Sequence, residues 1–296
     1  MTLKSHRRKI EDYLPHRDAM LLIDELLYVQ TDTGGASVVI KEDNIFYASD
    51  EGLNPAAYVE LIAQTAAAYT GYDDRQKNKP VRSGFLTGVK DFQVTAESRA
   101  GDTLCIDIMR SLDMKNATVL EGLIKHSDGR VCAKGTLTLW ILDQPLEPPV
   151  LSGQSPFSDV TGKREALLDE LKGGGSRVEN YIFEHTLINV RGKDTLVMCI
   201  PFNSGFMGFA GHFPQAPVLP GVVVLQSALA AAEILTDKHL RLETIEKAKF
   251  MGVVLPEQPL ICECKVTDKG EQKMCNAAFT VNNRKVASAL FSVREA

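Results

Sequence analysis

Two stretches of this chain are apolar almost all the way round a helix. Residues 54–72 read "NPAAYVELIAQTAAAYTGY" and residues 220–235 read "PGVVVLQSALAAAEIL". A helix without a polar face has no stable place on a protein surface and has to be covered on every side. No apolar run reaches the roughly 18 residues needed to span a bilayer, so the cover has to be protein. The same plan surrounds both stretches. Residues 34–41 read as a strand before the first helix, and residues 180–188 and 194–202 as strands before the second. After the first come strand-like segments at 84–94, 102–112, 117–127 and 130–142, and after the second at 243–254, 259–268, 273–283 and 285–295. "SDGR" and "NNRK" mark hairpin turns among them. One buried helix followed by a run of antiparallel strands predicts a curved sheet wrapped around its helix. Two copies of that plan predict an internal pseudo-dimer of α+β class.

Between the copies the composition changes. Residues 143–177 are rich in Pro, Gly, Ser and charge, with one helical patch, "KREALLDEL". The expected organisation is therefore a first domain at 1–142, a linker at 143–177 and a second domain at 178–296. The formal charge of −5 offers nothing that would hold nucleic acid or an anionic membrane. The basic cluster "HRRK" at 6–9 reads as a solvated surface, and the N-terminus lacks the apolar stretch of a signal peptide. Six cysteines without framework spacing read as reduced thiols of a cytoplasmic protein, with Cys262 and Cys264 on one face of a strand. No His/Cys spacing suits a zinc site, and no metal or cofactor is expected.

The segment "GHFPQAPVLPGVVVLQS" at 211–227 places His212 in a short loop before the second helix. A histidine so placed suits acid–base work, which ordinarily needs a second group. The helix offers only Gln226 where a carboxylate could face it.

These residues carry a resemblance. "YLPHRDAMLLIDELL" at 13–27 resembles the opening segment of the FabZ type of β-hydroxyacyl-acyl-carrier-protein dehydratases, the FabZ/FabA group. "GHFPQAPVLPGVVVLQSA" resembles their catalytic loop and helix, and "GFLTGVKDFQV" and "IEKAKFMGVVLPEQPL" the strand and turn that follow. The first half is similar to the accessory subunit of the aryl polyene dehydratases, in which two unlike units make one enzyme. The resemblance implies a double hot-dog, each unit a sheet around one long helix, with the units paired. It also implies a loop histidine and a helix carboxylate fourteen positions apart in sequence, acting across the pair. Fourteen positions after His212 stands Gln226, and fourteen before Glu60 stands Phe46. Each half is incomplete in a complementary way, so the expected site pairs His212 with Glu60 and leaves Phe46 with Gln226.

The resemblance further implies that the residue five positions before the carboxylate donates its amide to the thioester oxygen. That residue is Gly221 in the second half, at a helix start. In the first half it is Pro55, which has no N–H. Gln64, one turn after Glu60, is placed to orient it. Phe213 and Pro220 are expected to touch substrate, His16 to be a structural hydrogen-bonding residue, and Gln226 a buried amide with a partner. The implied reaction dehydrates a 3-hydroxyacyl thioester. A base takes the C2 proton, an acid protonates the leaving hydroxyl, and a donor holds the charge on the thioester oxygen. The implied partners are acyl carrier protein bearing a phosphopantetheine-linked substrate, with ketosynthase and ketoreductase as further ones, and a monomeric pseudo-dimer or higher homo-oligomer as the assembly. Lys90, Lys247, Lys249 and Arg82 are candidates for a basic patch toward the acidic carrier. The rival readings are a hot-dog thioesterase, which uses a helix carboxylate and ordinarily lacks the loop histidine, and a non-catalytic acyl-binding scaffold.

Overall fold

The computed structural model describes residues 9–143, 162–171, 174–270 and 272–296. The cluster at residues 6–8 and most of the expected linker lie outside them. In chain order the first half contains β1 (Glu25–Val29), β2 (Thr33–Val39), the short strands β3 (Tyr47–Ala48) and β4 (Gly52–Leu53), helix α1 (Ala57–Gln76), and strands β5 (Gly84–Val94), β6 (Thr103–Asp113), β7 (Ala117–His126) and β8 (Val131–Ile141). The second half contains helices α2 (Leu167–Leu171) and α3 (Arg177–His185), strands β9 (Leu187–Arg191) and β10 (Thr195–Pro201), helices α4 (Met207–Gly211) and α5 (Gly221–Thr236), and strands β11 (Leu240–Phe250), β12 (Pro259–Lys269), β13 (Gln272–Val281) and β14 (Arg284–Glu295).

Twelve strands form one antiparallel sheet in the order β1-β2-β6-β7-β8-β5-β11-β14-β13-β12-β10-β9. Read outward from the centre, the two sides have the same order: β5, β8, β7, β6, β2, β1 against β11, β14, β13, β12, β10, β9. The halves are thus pseudo-symmetric and meet edge to edge at the β5–β11 pair, where Ile245 faces Phe92, Lys247 faces Lys90 and Ala248 faces Val89. This seam satisfies the backbone edge that each six-stranded half would otherwise expose.

Alternation decides which strand face carries the core. Along β12, Leu260, Cys262, Cys264 and Val266 are buried while the residues between them are not, so the two cysteines share the inner face. Each half-sheet curls around its helix. Of α5, fourteen consecutive residues from Val222 to Leu235 are buried, as a helix apolar all round requires. α1 and α5 touch one another across the pseudo-symmetry axis. α5 is stopped by Asp237 in the left-handed conformation (φ 55°).

One expectation is corrected. Residues 180–188 were predicted to form a strand, but 177–185 are helical. Ser176 accepts from the Glu179 amide while the Glu179 carboxylate accepts from the Ser176 amide, a reciprocal cap at the helix start. The buried residues Val178, Ile182 and Phe183 follow a helical rather than an alternating period. The strand begins only at Leu187. The patch "KREALLDEL" is helical over Leu167–Leu171, and Lys163 bridges to Ile188.

Candidate active site

The first half supplies Glu60 and Gln64 from α1. They lie one turn apart, so both point to the same side. Gln64 Nε2 donates to Glu60 Oε1 at 2.9 Å and to the Met20 carbonyl at 2.7 Å, and Gln64 Oε1 accepts from the Leu22 amide at 2.9 Å. Gln64 therefore fixes the Glu60 carboxyl and ties α1 to the opening segment. Burial pushes the Glu60 carboxyl above its ordinary range, with the Gln64 bond opposing the shift.

The second half supplies His212 from the loop between α4 and α5. Its Nδ1 lies 2.8 Å from the Val218 carbonyl oxygen. A carbonyl only accepts, so Nδ1 carries the hydrogen and Nε2 keeps its lone pair. Burial pushes the imidazole down to about 4, the Val218 bond opposing, so the ring is neutral at physiological pH.

The opening segment of the first half holds the second half's loop. The Arg17 amide donates to the Gly211 carbonyl at 2.9 Å. A Cβ at position 211 would overlap the Arg17 carbonyl oxygen and come within 2.9 Å of Met20 Cβ. Only glycine allows this approach, and the approach sets the position of the residue next to it, His212.

The two sets of groups line one cavity of about 250 Å³. Its walls include His16, Glu60, Ala63, Ala67, His212 and Gly221. Gly221 is the first residue of α5, where an N–H has no intrahelical acceptor. The small residues Ala63, Ala66 and Ala67 leave a lane along α1 away from Glu60. Phe213 and Pro220, expected to touch substrate, do not line this cavity. Pro220 caps α5, and Phe213 (φ 56°) holds its ring tilted against that of His212, with 4.3 Å between centroids. The wall there is Val218, Leu219 and Gly221. Arg82, a candidate for a basic patch near the tunnel mouth, lines the cavity, and its guanidinium is held by the buried Asp74 carboxylate at 2.9–3.2 Å. Lys90, Lys247 and Lys249 are exposed on the β5–β11 seam.

His16 is the residue sequence reasoning missed. Its Nε2 lies 3.5 Å from Glu60 Oε1, and its ring centroid 5.4 Å from that of His212. Its Nδ1 is buried with no hydrogen-bond partner among the described residues, so a purely structural hydrogen-bonding role does not describe it. Burial, the nearby His212 and Arg17 all hold its imidazole well below the ordinary range, hence neutral. No local signal marks it, because the contacts join residues 44 and 196 positions apart in the chain.

The pseudo-symmetric place is built differently. Phe46 is fully buried, and both side-chain polar atoms of the buried Gln226 lack a hydrogen-bond partner among the described residues, where a bonded amide was expected. Segments equivalent to the cavity walls, Leu240–Glu243, Val94–Glu97 and Pro55, enclose only about 100 Å³. Leu229 stands there, three positions after Gln226, as Ala63 stands after Glu60. The larger side chain narrows that lane.

Two helices, each wrapped by half of one antiparallel sheet, define a double hot-dog protein. Residues 8–147 match the family model described as "ApeP-like: ApeP dehydratase", and residues 189–290 match "ApeI-like: ApeI dehydratase". The FabZ 3-hydroxyacyl-acyl-carrier-protein dehydratase of Wolbachia pipientis wMel is 32% identical over 106 residues, 31% of this chain and 69% of that protein. That of Hydrogenobaculum sp. is 38% identical over 93 residues, 28% of this chain and 62% of that protein. The chain thus spans about two-thirds of the length of these relatives. The chain belongs to the FabZ-type dehydratase family. Solved structures share its fold across most of its length. The dehydratase domain of RzxB from Pseudomonas fluorescens superposes with a TM-score of 0.58 at 10% identity, covering 94% of this chain and 100% of that one. A putative thioesterase from Novosphingobium aromaticivorans does so at 0.57 and 12%, covering 92% and 98%.

Proposed function

We propose that this chain dehydrates 3-hydroxyacyl thioesters to trans-2-enoyl thioesters, in fatty acid or aryl polyene synthesis, at one composite site built from both halves. The observation that carries the reading is the meeting of Glu60 from the first half and His212 from the second on one cavity, with the His212 Nε2 lone pair free. His212 Nε2 takes the C2 proton. Glu60, whose carboxyl burial shifts toward its protonated form, gives its proton to the C3 oxygen, which leaves as water. Gly221 N–H, at the start of α5, holds the developing charge on the thioester oxygen, where a single donor of this kind contributes on the order of 3 kcal/mol. Gln64 is a positioning residue for Glu60. The pseudo-symmetric place has no imidazole, carboxylate or amide hydrogen at the corresponding positions, since Phe46, Gln226 and Pro55 occupy them.

The substrate arrives on acyl carrier protein. Lys90 and Lys247, paired across the seam, and Lys249 beside them offer an acidic partner a positive stripe. The protein works as a cytoplasmic pseudo-dimer of domains 1–142 and 178–296 joined by 143–177. Among the described residues no helix is long and apolar enough to cross a membrane. The test is the product formed from 3-hydroxyacyl thioesters of varied chain length, read by mass spectrometry. Loss of water with the thioester intact is expected, and His212→Ala and Glu60→Gln should each remove nearly all of it with the fold retained by circular dichroism. Release of a free acid would point to thioester hydrolysis, and undiminished turnover by Glu60→Gln would remove Glu60 from the mechanism.

A further inference from the structure

We propose that His16, Glu60 and His212 together form a site for a divalent transition-metal ion, Zn²⁺ above all, and that its occupation inhibits the enzyme. One ligand-capable atom from each of the three lies within 4.8 Å of the other two, and all three side chains are buried. Ligands about 2.0–2.2 Å from a tetrahedral zinc lie roughly 3.3–3.6 Å from one another. His16 Nε2 and Glu60 Oε1, 3.5 Å apart, already have that spacing. The other two edges, to His212, are no longer than 4.8 Å, so a shift of the His212 loop by about 1 Å closes both to that spacing.

The surroundings of His212 and Glu60 match what metal-binding side chains require. A ligating histidine ordinarily donates its other ring hydrogen to a carbonyl or carboxylate, which fixes the tautomer and aims the lone pair. His212 does this through Nδ1 to Val218. A ligating carboxylate is likewise held from behind, as Gln64 holds Glu60. His16 adds an independent observation: it is 6% exposed, and its buried Nδ1 has no hydrogen-bond partner among the described residues. Two imidazoles and a carboxylate are a donor set that suits zinc, and the adjoining cavity gives an entry path and room for a fourth ligand such as water. The spacing of His and Cys along the chain gives no hint of this site, because its ligands come from three separate segments.

The functional consequence rests on the proposed reaction. A metal ion here occupies His212 Nε2 and the Glu60 carboxylate, the two atoms that move protons, so binding and turnover exclude each other. The site is then a reversible brake set by free zinc.

Direct binding tests the site without relying on activity. Chain freed of metal with EDTA is titrated with ZnCl₂ by calorimetry, and separately with CoCl₂ by visible spectroscopy. One equivalent per chain is expected, with cobalt bands of a four- or five-coordinate ion. His16→Gln should weaken binding at least tenfold. In the dehydration assay on the wild type, zinc should inhibit competitively against the thioester, and EDTA should restore the rate. Absence of saturable binding, bands of six-coordinate cobalt alone, or unchanged affinity in a folded His16→Gln chain would overturn the proposal. If His16→Gln fails to fold, the wild type decides: inhibition that thioester does not relieve, with binding unaffected by saturating substrate, places the ion elsewhere. Zinc binding with these signatures but no dehydratase activity would leave the metal site standing and overturn the proposed reaction instead.

Discussion

Gly211→Ala should disable the site without touching any reacting group. The added Cβ meets the Arg17 carbonyl oxygen and Met20 Cβ, which are backbone and first side-chain atoms that no rotamer change can remove. The loop has to retreat from the opening segment, by a distance on the order of 1 Å. That retreat stretches or breaks the Arg17 N–Gly211 O bond, a loss of about 1 kcal/mol. The residual crowding adds roughly 1–3 kcal/mol. Total destabilisation is thus on the order of 2–4 kcal/mol, a fall in Tm of several degrees for a chain of this size. The effect on rate is larger. His212 follows directly in sequence, and a misplacement of about 1 Å costs on the order of 100-fold in turnover. The assay is kcat for dehydration beside a thermal melt of the same preparation. A variant that melts several degrees lower yet turns over at the wild-type rate would refute the argument that this contact sets the imidazole position. Gly205→Ala, in an open turn whose Cβ would meet only the Asn203 side chain, serves as the control.

Gln226→Leu should raise stability by about 1–3 kcal/mol, since a buried amide without a hydrogen-bond partner among the described residues is replaced by an apolar side chain of similar volume; denaturant melts would show it, and an unchanged or lower midpoint would mean the amide is satisfied. The double variant His212→Ala/Glu60→Gln should be scarcely slower than either single one, because the two groups act as a unit; multiplicative losses in kcat would argue for independent roles. Glu233 has its carboxyl held well above the ordinary value by burial and by the neighbouring Glu179, while accepting from the Leu240 amide. The folded chain therefore keeps a proton that the unfolded chain releases from about pH 4.5 upward, and stability falls as pH rises toward the folded pKa. Glu233→Gln, which preserves the acceptor, should flatten that fall, and matching slopes for the two proteins in melts from pH 5 to 8 would show the carboxyl is not the cause.

Much of the fold was legible because its physics is local. Strands such as β7 and β12 alternate between buried and less buried positions, and helices without a polar face announce their own burial. Residues 180–188 misled because Tyr, Ile and Phe favour strands, while the deciding signal lay just upstream. Ser176 and Glu179, three apart, make the reciprocal cap, and they sit at the end of a Gly-rich run that reads as a linker. In the candidate site, His212 and Glu60 could be named because the family resemblance implies one spacing, which each half satisfies at only one end. His16 could not, because its place depends on Gln64 gripping Met20 and Leu22 from another segment. The tie of Arg82 to Asp74 was not legible either, because nothing in the sequence around Arg82 marks the carboxylate at the far end of α1 as its partner.

The seam between β5 and β11 changes what mutation can do to this protein. Where two identical chains pair, any replacement is copied into both sites at once, so a wall that suits one substrate has to be accepted twice. In a single chain with two unlike halves each replacement appears once. Ala63 can grow or shrink while Leu229 stays as it is, and the lane beside Glu60 can be reshaped without disturbing the packing that closes its counterpart. A chain with two unlike halves thus has one roomy cavity whose walls can be adjusted independently of its counterpart.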